Sequence, residues 1–360
     1  MKLLEKYTST NLQLENPIVM APMTRSRANN EEHLANDLML DYYTQRATAG
    51  LIISEGVNVS KDSVGYINVP GIYTEAQTES WKNITTAVHA IGGKIFAQLW
   101  HVGRVSHPDF HDGKAPLAPS AVNPETQSYT YDGFKDTVTP QEMSLEDIKK
   151  TVQDFAKAAD NAVKAGFDGV EIHGANGYLF QQFFALTSNK REDEYGGSIE
   201  NRGRFLFEVL DAVIDKIPVE KVALRLSPDF DGVFGMKKDE QTTEMFDYLV
   251  NKLNDYDLAY LHLSGFAGQD DDPLKSILET ADHYRKIYKG TFMINGGFKK
   301  DTANKAIEDG FADLVSFGVP YIGNPDLVQR FAVDAPLNEP DQSTFYTPGA
   351  KGYTDYHPLK

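Results

Sequence analysis

Gly169-Val170-Glu171-Ile172-His173-Gly174-Ala175-Asn176-Gly177-Tyr178 passes from a short apolar run into three polar side chains within six residues. Runs of this kind recur along the chain. Eight can be counted, at residues 17–21, 51–55, 94–99, 169–173, 222–226, 259–263, 291–295 and 313–317. Amphipathic segments separate most of them. Ser144-Leu145-Glu146-Asp147 reads as a capped helix start, and Ile148, Val152, Phe155 and Ala159 follow on one face. From Ser198 to Ile214 the same theme places Phe205, Leu206, Val209, Leu210 and Val213 together. Strands alternating with helices imply a parallel sheet, and eight such units predict a closed (β/α)8 TIM barrel. The competing doubly wound fold needs a glycine-rich dinucleotide turn, yet no two glycines here are separated by a single residue.

One connection is too long for a simple barrel loop. Residues 102–140, after the third run, are rich in Pro, Gly, Asn and aromatics. Loops beyond roughly 12–15 residues usually cover sites or carry a hairpin, so this stretch is assigned as a cap over the barrel mouth. The acidic Asp270-Asp271-Asp272 reads as a solvated loop.

Composition narrows the function. At 360 residues with 41% hydrophobic and 24% charged residues, the chain has enough apolar material for one large core. Its net charge of -17 argues against nucleic-acid binding, which needs a basic surface. The absence of cysteine excludes disulfides, thiolate metal sites and a cysteine nucleophile. The first residues form no apolar leader, and no segment approaches the roughly 20 apolar residues of a membrane span. A soluble, cytoplasmic protein with no membrane partner is expected; oligomeric state is left open.

In a barrel, reactive groups sit where strands end. Read in order, these ends give Ala21-Pro22-Met23-Thr24, Glu55-Gly56, Gln98, His173, Arg225, Ser264-Gly265, Gly296-Gly297 and Phe317-Gly318. Glycines let backbone N–H groups approach a phosphate, and Gly296, Gly297 and Gly318 follow strands seven and eight, a common phosphate position. Gln98 and Arg225 suit the polar edge of a flavin whose reduced form is an anion. His173 and Asn176 can both donate to one oxygen, and the Tyr178 phenol, with an ordinary pKa of about 10, retains a proton to give. That trio fits reduction of a double bond conjugated to a carbonyl or nitro group.

The chain resembles the old yellow enzyme family of FMN-dependent ene-reductases. The matching stretches are Ala21-Pro22-Met23-Thr24-Arg25-Ser26-Arg27, Ala97-Gln98-Leu99-Trp100-His101-Val102-Gly103-Arg104, His173-Gly174-Ala175-Asn176-Gly177-Tyr178, Asn189-Lys190-Arg191-Glu192-Asp193-Glu194-Tyr195-Gly196-Gly197-Ser198, Tyr321-Ile322-Gly323-Asn324-Pro325-Asp326-Leu327 and Gly352-Tyr353-Thr354-Asp355-Tyr356. They span nearly the whole chain in family order, and Thr24 in place of a cysteine, together with the spacing of His173 and Asn176, resembles the classical branch. The resemblance implies a single FMN-binding domain over residues 1–360 and NADPH or NADH as reductant. Pro22, Met23, Thr24, Gly56, Gln98, His173, Arg225, Gly296, Gly297, Gly318 and Val319 would hold the cofactor, with Thr24 near the reactive flavin nitrogen. His173 and Asn176 would bind the substrate oxygen, Tyr178 would protonate carbon, and Tyr66, Trp100 and Tyr346 would wall the flavin face. The implied substrates are electrophilic alkenes; a quinone, nitro compound or nitrate ester is the alternative acceptor, and a non-catalytic flavin sensor a further one.

One position departs from the family. Members commonly carry an arginine on the FMN phosphate directly after the Phe-Gly of strand eight, where this chain has Val319. Lys299 and Lys300 are candidates to replace it. Two rival signals carry less. His101, His107, Asp109, His111 and Asp112 cluster, but match no standard metal spacing, so no metal is expected. Glu55 and Glu171 are the carboxylates nearest to a glycosidase pair. Glu171 is expected to alternate away from His173 and face the helices.

Overall fold

The computed structural model describes residues 1–265 and 272–359. The eight apolar runs form a closed parallel barrel: β1 Ile18–Met20, β2 Leu51–Asn58, β3 Ile95–Trp100, β4 Gly169–Gly174, β5 Val222–Leu226, β6 Tyr260–Ser264, β7 Phe292–Asn295 and β8 Leu314–Phe317. Each strand pairs with the next in chain order, and β8 closes on β1 with Val315 opposite Ile18. These strands are covered on both faces, which is why they read as continuous apolar runs. The largest difference from the sequence reading is in β2. A register shift between Ile53 and Gly56 lets it continue to Asn58, opposite Trp100.

Helices cover the outside as patterned. The helix Leu145–Lys164 starts at a capping box in which Ser144 Oγ accepts from Asp147 N at 3.1 Å and Asp147 Oδ2 accepts from Ser144 N at 2.9 Å. Its Ile148, Phe155 and Ala159 are fully buried. Losing such a cap costs about 1 kcal/mol. The helix Ile199–Ile214 lies beside it, and Phe155, Phe180, Phe205 and Phe183 pack ring to ring between β4 and this layer.

The barrel interior has two levels. Near the strand starts lie Val19, Leu51, Phe96, Ala223, Tyr260, Met293 and Leu314, closed off by Leu12 and Leu14 of an N-terminal ribbon (Tyr7–Thr8 with Gln13–Leu14). One level further along, five of the strands turn polar side chains inward: Gln98, Glu171, Arg225, His262 and Ser316. Glu171 corrects the sequence reading. Residues 171 and 173 are two apart and so share one face of β4. Glu171 therefore points inward, fully buried, and accepts from Gln98 Nε2 at 2.8 Å and from His262 Nδ1 at 2.9 Å.

Residues 102–140 carry a small hairpin, Gln127–Thr130 with Gly133–Asp136, turned at Tyr131-Asp132. Of the acidic trio, Asp270 and Asp271 lie outside the described residues. Asp272 caps the helix Pro273–Arg285, its side chain accepting from Leu274 N. Among the described residues no helix is long and apolar enough to cross a membrane.

Candidate active site

The strand ends open into a cavity of about 900 Å³. It brings together Pro22, Met23, Thr24, Tyr66, Gln98, Trp100, His173, Asn176, Tyr178, Arg225, Gly318, Val319 and Tyr346. Three expected cofactor residues are not on its wall. A Cβ at Gly56 would stand 2.3 Å from the Trp100 ring, so any larger residue there would displace Trp100. Gly296 and Gly297, at positive φ of 156° and 65°, turn the chain after β7 outside that lining.

The His173–Tyr178 turn is held by short bonds. Asn176 and Gly177 both adopt positive φ, 58° and 77°, a pair of conformations that Asn-Gly tolerates better than other residues. Asn176 N donates to Ser227 Oγ at 2.7 Å, while Gly177 N and Ser227 Oγ both donate to Gln181 Oε1 at 2.9 Å. Asn176 Oδ1 accepts from Ser264 Oγ at 3.5 Å, which leaves its Nδ2 to donate into the cavity. Gln181 and Ser227 were not singled out from sequence, because Ser227 meets this turn from about fifty residues away.

Each polar group is in a definite protonation state. Burial, with Arg225 and His262 nearby, holds the His173 imidazole well below its ordinary pKa, so it is neutral. Its Nδ1 is buried with no hydrogen-bond partner among the described residues. Burial also pushes the Tyr178 phenol well above 10, with Tyr66 adding to the effect. The two hydroxyls are 3.1 Å apart, and burial raises Tyr66 to about 12. Trp100 stacks on Tyr66 at 5.3 Å and meets Tyr178 edge-on at 4.9 Å. At the floor, Arg225 donates through Nη2 to Ser264 Oγ (3.1 Å) and Asn295 Oδ1 (3.2 Å), and its Nε is buried and unpaired among the described residues.

The roof comes from two distant segments. Tyr129 and Phe134 of the hairpin reach the cavity from one side, and residues 342–348 from the other. The latter strap is fastened by the loop that carries Thr24. Arg25 donates to the carbonyls of Phe345 (3.1 Å) and Gly352 (2.9 Å), and Arg27 to those of Phe345 (2.7 Å) and Thr344 (2.9 Å). Behind them Glu55, buried and pushed up to about 7, accepts from the Tyr43 hydroxyl at 3.3 Å. Glu55 does not line the cavity, so no carboxylate pair faces it among the described residues. Asn295 was legible as the polar end of an apolar run. Phe234, in the loop after β5, carried no sequence signal.

The histidine-rich cluster of the cap is otherwise engaged. Asp109 pairs with Lys135 at 2.6 Å, Asp112 with Lys61 at 2.7 Å, and His111 Nε2 lies 2.8 Å from Ser106 Oγ. Burial drives His101 to about 3.

Residues 2–338 match the model of the NADH:flavin oxidoreductase / NADH oxidase family. The chain belongs to this family. It is 41% identical to 12-oxophytodienoate reductase 1 of Oryza sativa subsp. japonica over 98% of this chain and 92% of that one. Among solved structures, an old yellow enzyme homologue from Zymomonas mobilis superposes with a TM-score of 0.93 at 41% identity, covering 100% of both chains. Morphinone reductase in complex with tetrahydroNAD gives 0.92 at 42% identity, over 100% of this chain and 98% of that one. As a member, the protein is an FMN-dependent flavin oxidoreductase reduced by a nicotinamide, and its barrel is that of the old yellow enzymes.

The cavity of this flavin oxidoreductase fits such a cofactor on its own evidence. A flavin's pyrimidine edge alternates acceptors with one N–H donor. Among the described residues Arg225 Nε has no partner, and Gln98 Oε1 accepts no bond. The phosphate end is less furnished. Val319 is 53% exposed, Lys300 is paired with Asp334, and neither Lys299 nor Lys300 lines the cavity.

Proposed function

We propose that the protein reduces the C=C bond of α,β-unsaturated carbonyl or nitro compounds, with His173 and Asn176 gripping the substrate oxygen and Tyr178 supplying a proton to the α-carbon. The observation that carries this reading is the convergence of those three groups, in usable protonation states, on one cavity with Gln98 and Arg225. Gln98 and Arg225 would hold the pyrimidine edge of FMN, Pro22, Met23 and Thr24 the region of its reactive nitrogen, and the Gly318-Val319 turn the phosphate end. Bound FMN supplies the hydride that a nicotinamide has first delivered. The whole chain, 1–360, acts in this reading as one flavin-binding unit, with the barrel as floor and the hairpin and strap as roof.

The protein's own contribution is placement and electrostatics. As hydride reaches the β-carbon, charge develops on the substrate oxygen. Two preorganised neutral donors meet it without reorganising at the moment of reaction. Neutral His173 donates through one nitrogen, and Asn176 through the Nδ2 freed by Ser264. Tyr178 keeps its proton at neutral pH because its buried phenolate would be poorly solvated. Tyr66 fixes that hydroxyl from the side, and Tyr66 and Trp100 supply flat apolar surface for a conjugated substrate.

A quinone or nitro group accepts electrons without protonation at carbon, so such compounds would use His173 and Asn176 but not Tyr178. With no cysteine to oxidise, the chain suits a reducing compartment, and we assign it to the cytoplasm. The deciding experiment is spectroscopic. The purified yellow protein should lose its flavin absorption anaerobically with NADH or NADPH and regain it on adding cyclohexenone. A flavin that is bleached but never restored by an enone, while a quinone restores it, overturns C=C reduction.

A further inference from the structure

Glu171 has no part in the chemistry above, yet it sits directly beneath it. Its side chain is fully buried, with Gln98 Nε2 at 2.8 Å on one oxygen and His262 Nδ1 at 2.9 Å on the other. His262 in turn lies 2.9 Å from Ser316 Oγ. A buried carboxylate costs several kcal/mol unless its surroundings compensate it. Burial alone would raise Glu171, but His262, Arg225 and Gln98 outweigh it and keep the group below its ordinary pKa. Glu171 is therefore a carboxylate, and a carboxylate only accepts.

Two consequences follow for the floor of the cavity. A free glutamine amide can present either end, but Glu171 compels Gln98 to turn its nitrogen downward. Gln98 Oε1 is then a fixed acceptor. The second consequence is charge. On this level Arg225 is the fixed cation and Glu171 the anion; burial lowers His262 while Glu171 opposes that, and burial lowers His173. Glu171 offsets the charge of Arg225.

We propose that Glu171 is a positioning residue for the flavin's pyrimidine edge, fixing Gln98 as an acceptor and offsetting the charge of Arg225. The inference rests on the reading that Gln98 and Arg225 face that edge. It assigns to one carboxylate the balance between a ring that is neutral when oxidised and anionic when reduced. A purely architectural Glu171 would affect only how firmly the barrel holds together.

Glu171→Gln separates these cases, because it keeps shape and removes charge. In the FMN-loaded protein, the midpoint potential is measured by anaerobic equilibration against a reference dye. With Arg225 unopposed, reduced FMN should gain about tenfold in binding over oxidised FMN, a rise of about 30 mV for a two-electron couple. Oxidised FMN should also dissociate several-fold more readily, because two facing amides no longer fix each other. An unchanged potential in a variant that binds FMN normally overturns the proposal, even where thermal stability falls.

If Glu171→Gln does not fold, Glu171→Asp carries the test. It keeps the charge and shortens the reach, so FMN should dissociate faster at a nearly native potential; an unaltered dissociation constant overturns the role. A native protein that takes up no FMN would instead sink the flavin reading itself.

Discussion

The two ends of the cavity are built differently. At the β4 end, His173, Asn176 and Tyr178 stand on a turn locked by Ser227 and Gln181, with bonds of 2.7 to 2.9 Å. At the β7–β8 end, Gly318 and an exposed Val319 offer backbone and apolar surface, and the nearest lysines are paired elsewhere or off the wall. The contrast shows which part of the site carries specificity. Developing charge on a substrate needs directed donors within a few tenths of an ångström, whereas a phosphate near solvent can be held by backbone N–H groups and water.

The largest expected effect tests the rigid end. Tyr178→Phe should slow enone turnover by roughly 10²–10⁴ where protonation limits, while flavin reduction by NADH proceeds nearly unchanged. Stopped-flow measurement of the two half-reactions reads this directly, and equal losses in both would refute the proton-donor role. His173→Ala should follow at roughly 10²–10³ on the same oxidative step. Unlike Tyr178→Phe, it should slow nitro and quinone acceptors as well. If those acceptors were spared, His173 would not be an oxygen-binding residue.

A smaller effect probes what locks the turn. Gln181→Leu leaves Gly177 N–H and the Ser227 hydroxyl without their shared acceptor, a cost of about 1–3 kcal/mol for buried groups. Enone KM should rise about tenfold with FMN affinity unaffected. Weakened FMN binding instead would show that the two ends are not separable. The smallest effect is expected at the open end. Val319→Arg adds a charge-assisted contact of ~1.5–3 kcal/mol, reduced by exposure, so FMN should dissociate up to about tenfold more slowly at low salt. No tightening would mean that the phosphate does not approach residue 319.

Legibility in the sequence followed the same division. Eight strands, their order and the capped helices were readable because hydrophobic periodicity is local and repeats with each unit. The His173, Asn176 and Tyr178 set was readable because three functional types fall within six residues of one strand end. The packing role of Gly56 was hidden for a different reason. A glycine at a strand end resembles a ligand contact, but only the packed structure places Trp100 against it.

Glu171 marks the boundary between the two kinds of information. Its inward direction was implicit in the two-residue period it shares with His173. Its partners were not: Gln98 lies 73 residues before it and His262 91 residues after it. The sequence by itself determined the barrel, the family and which polar groups stand at the strand ends, since each depends on residues close together in the chain. Only the tertiary structure decided which buried groups pair across the barrel, how Arg25 and Arg27 fasten the strap, and which glycines face the cavity. Those outcomes depend on distances between strands and loops, set when the barrel closes, and no local pattern encodes them.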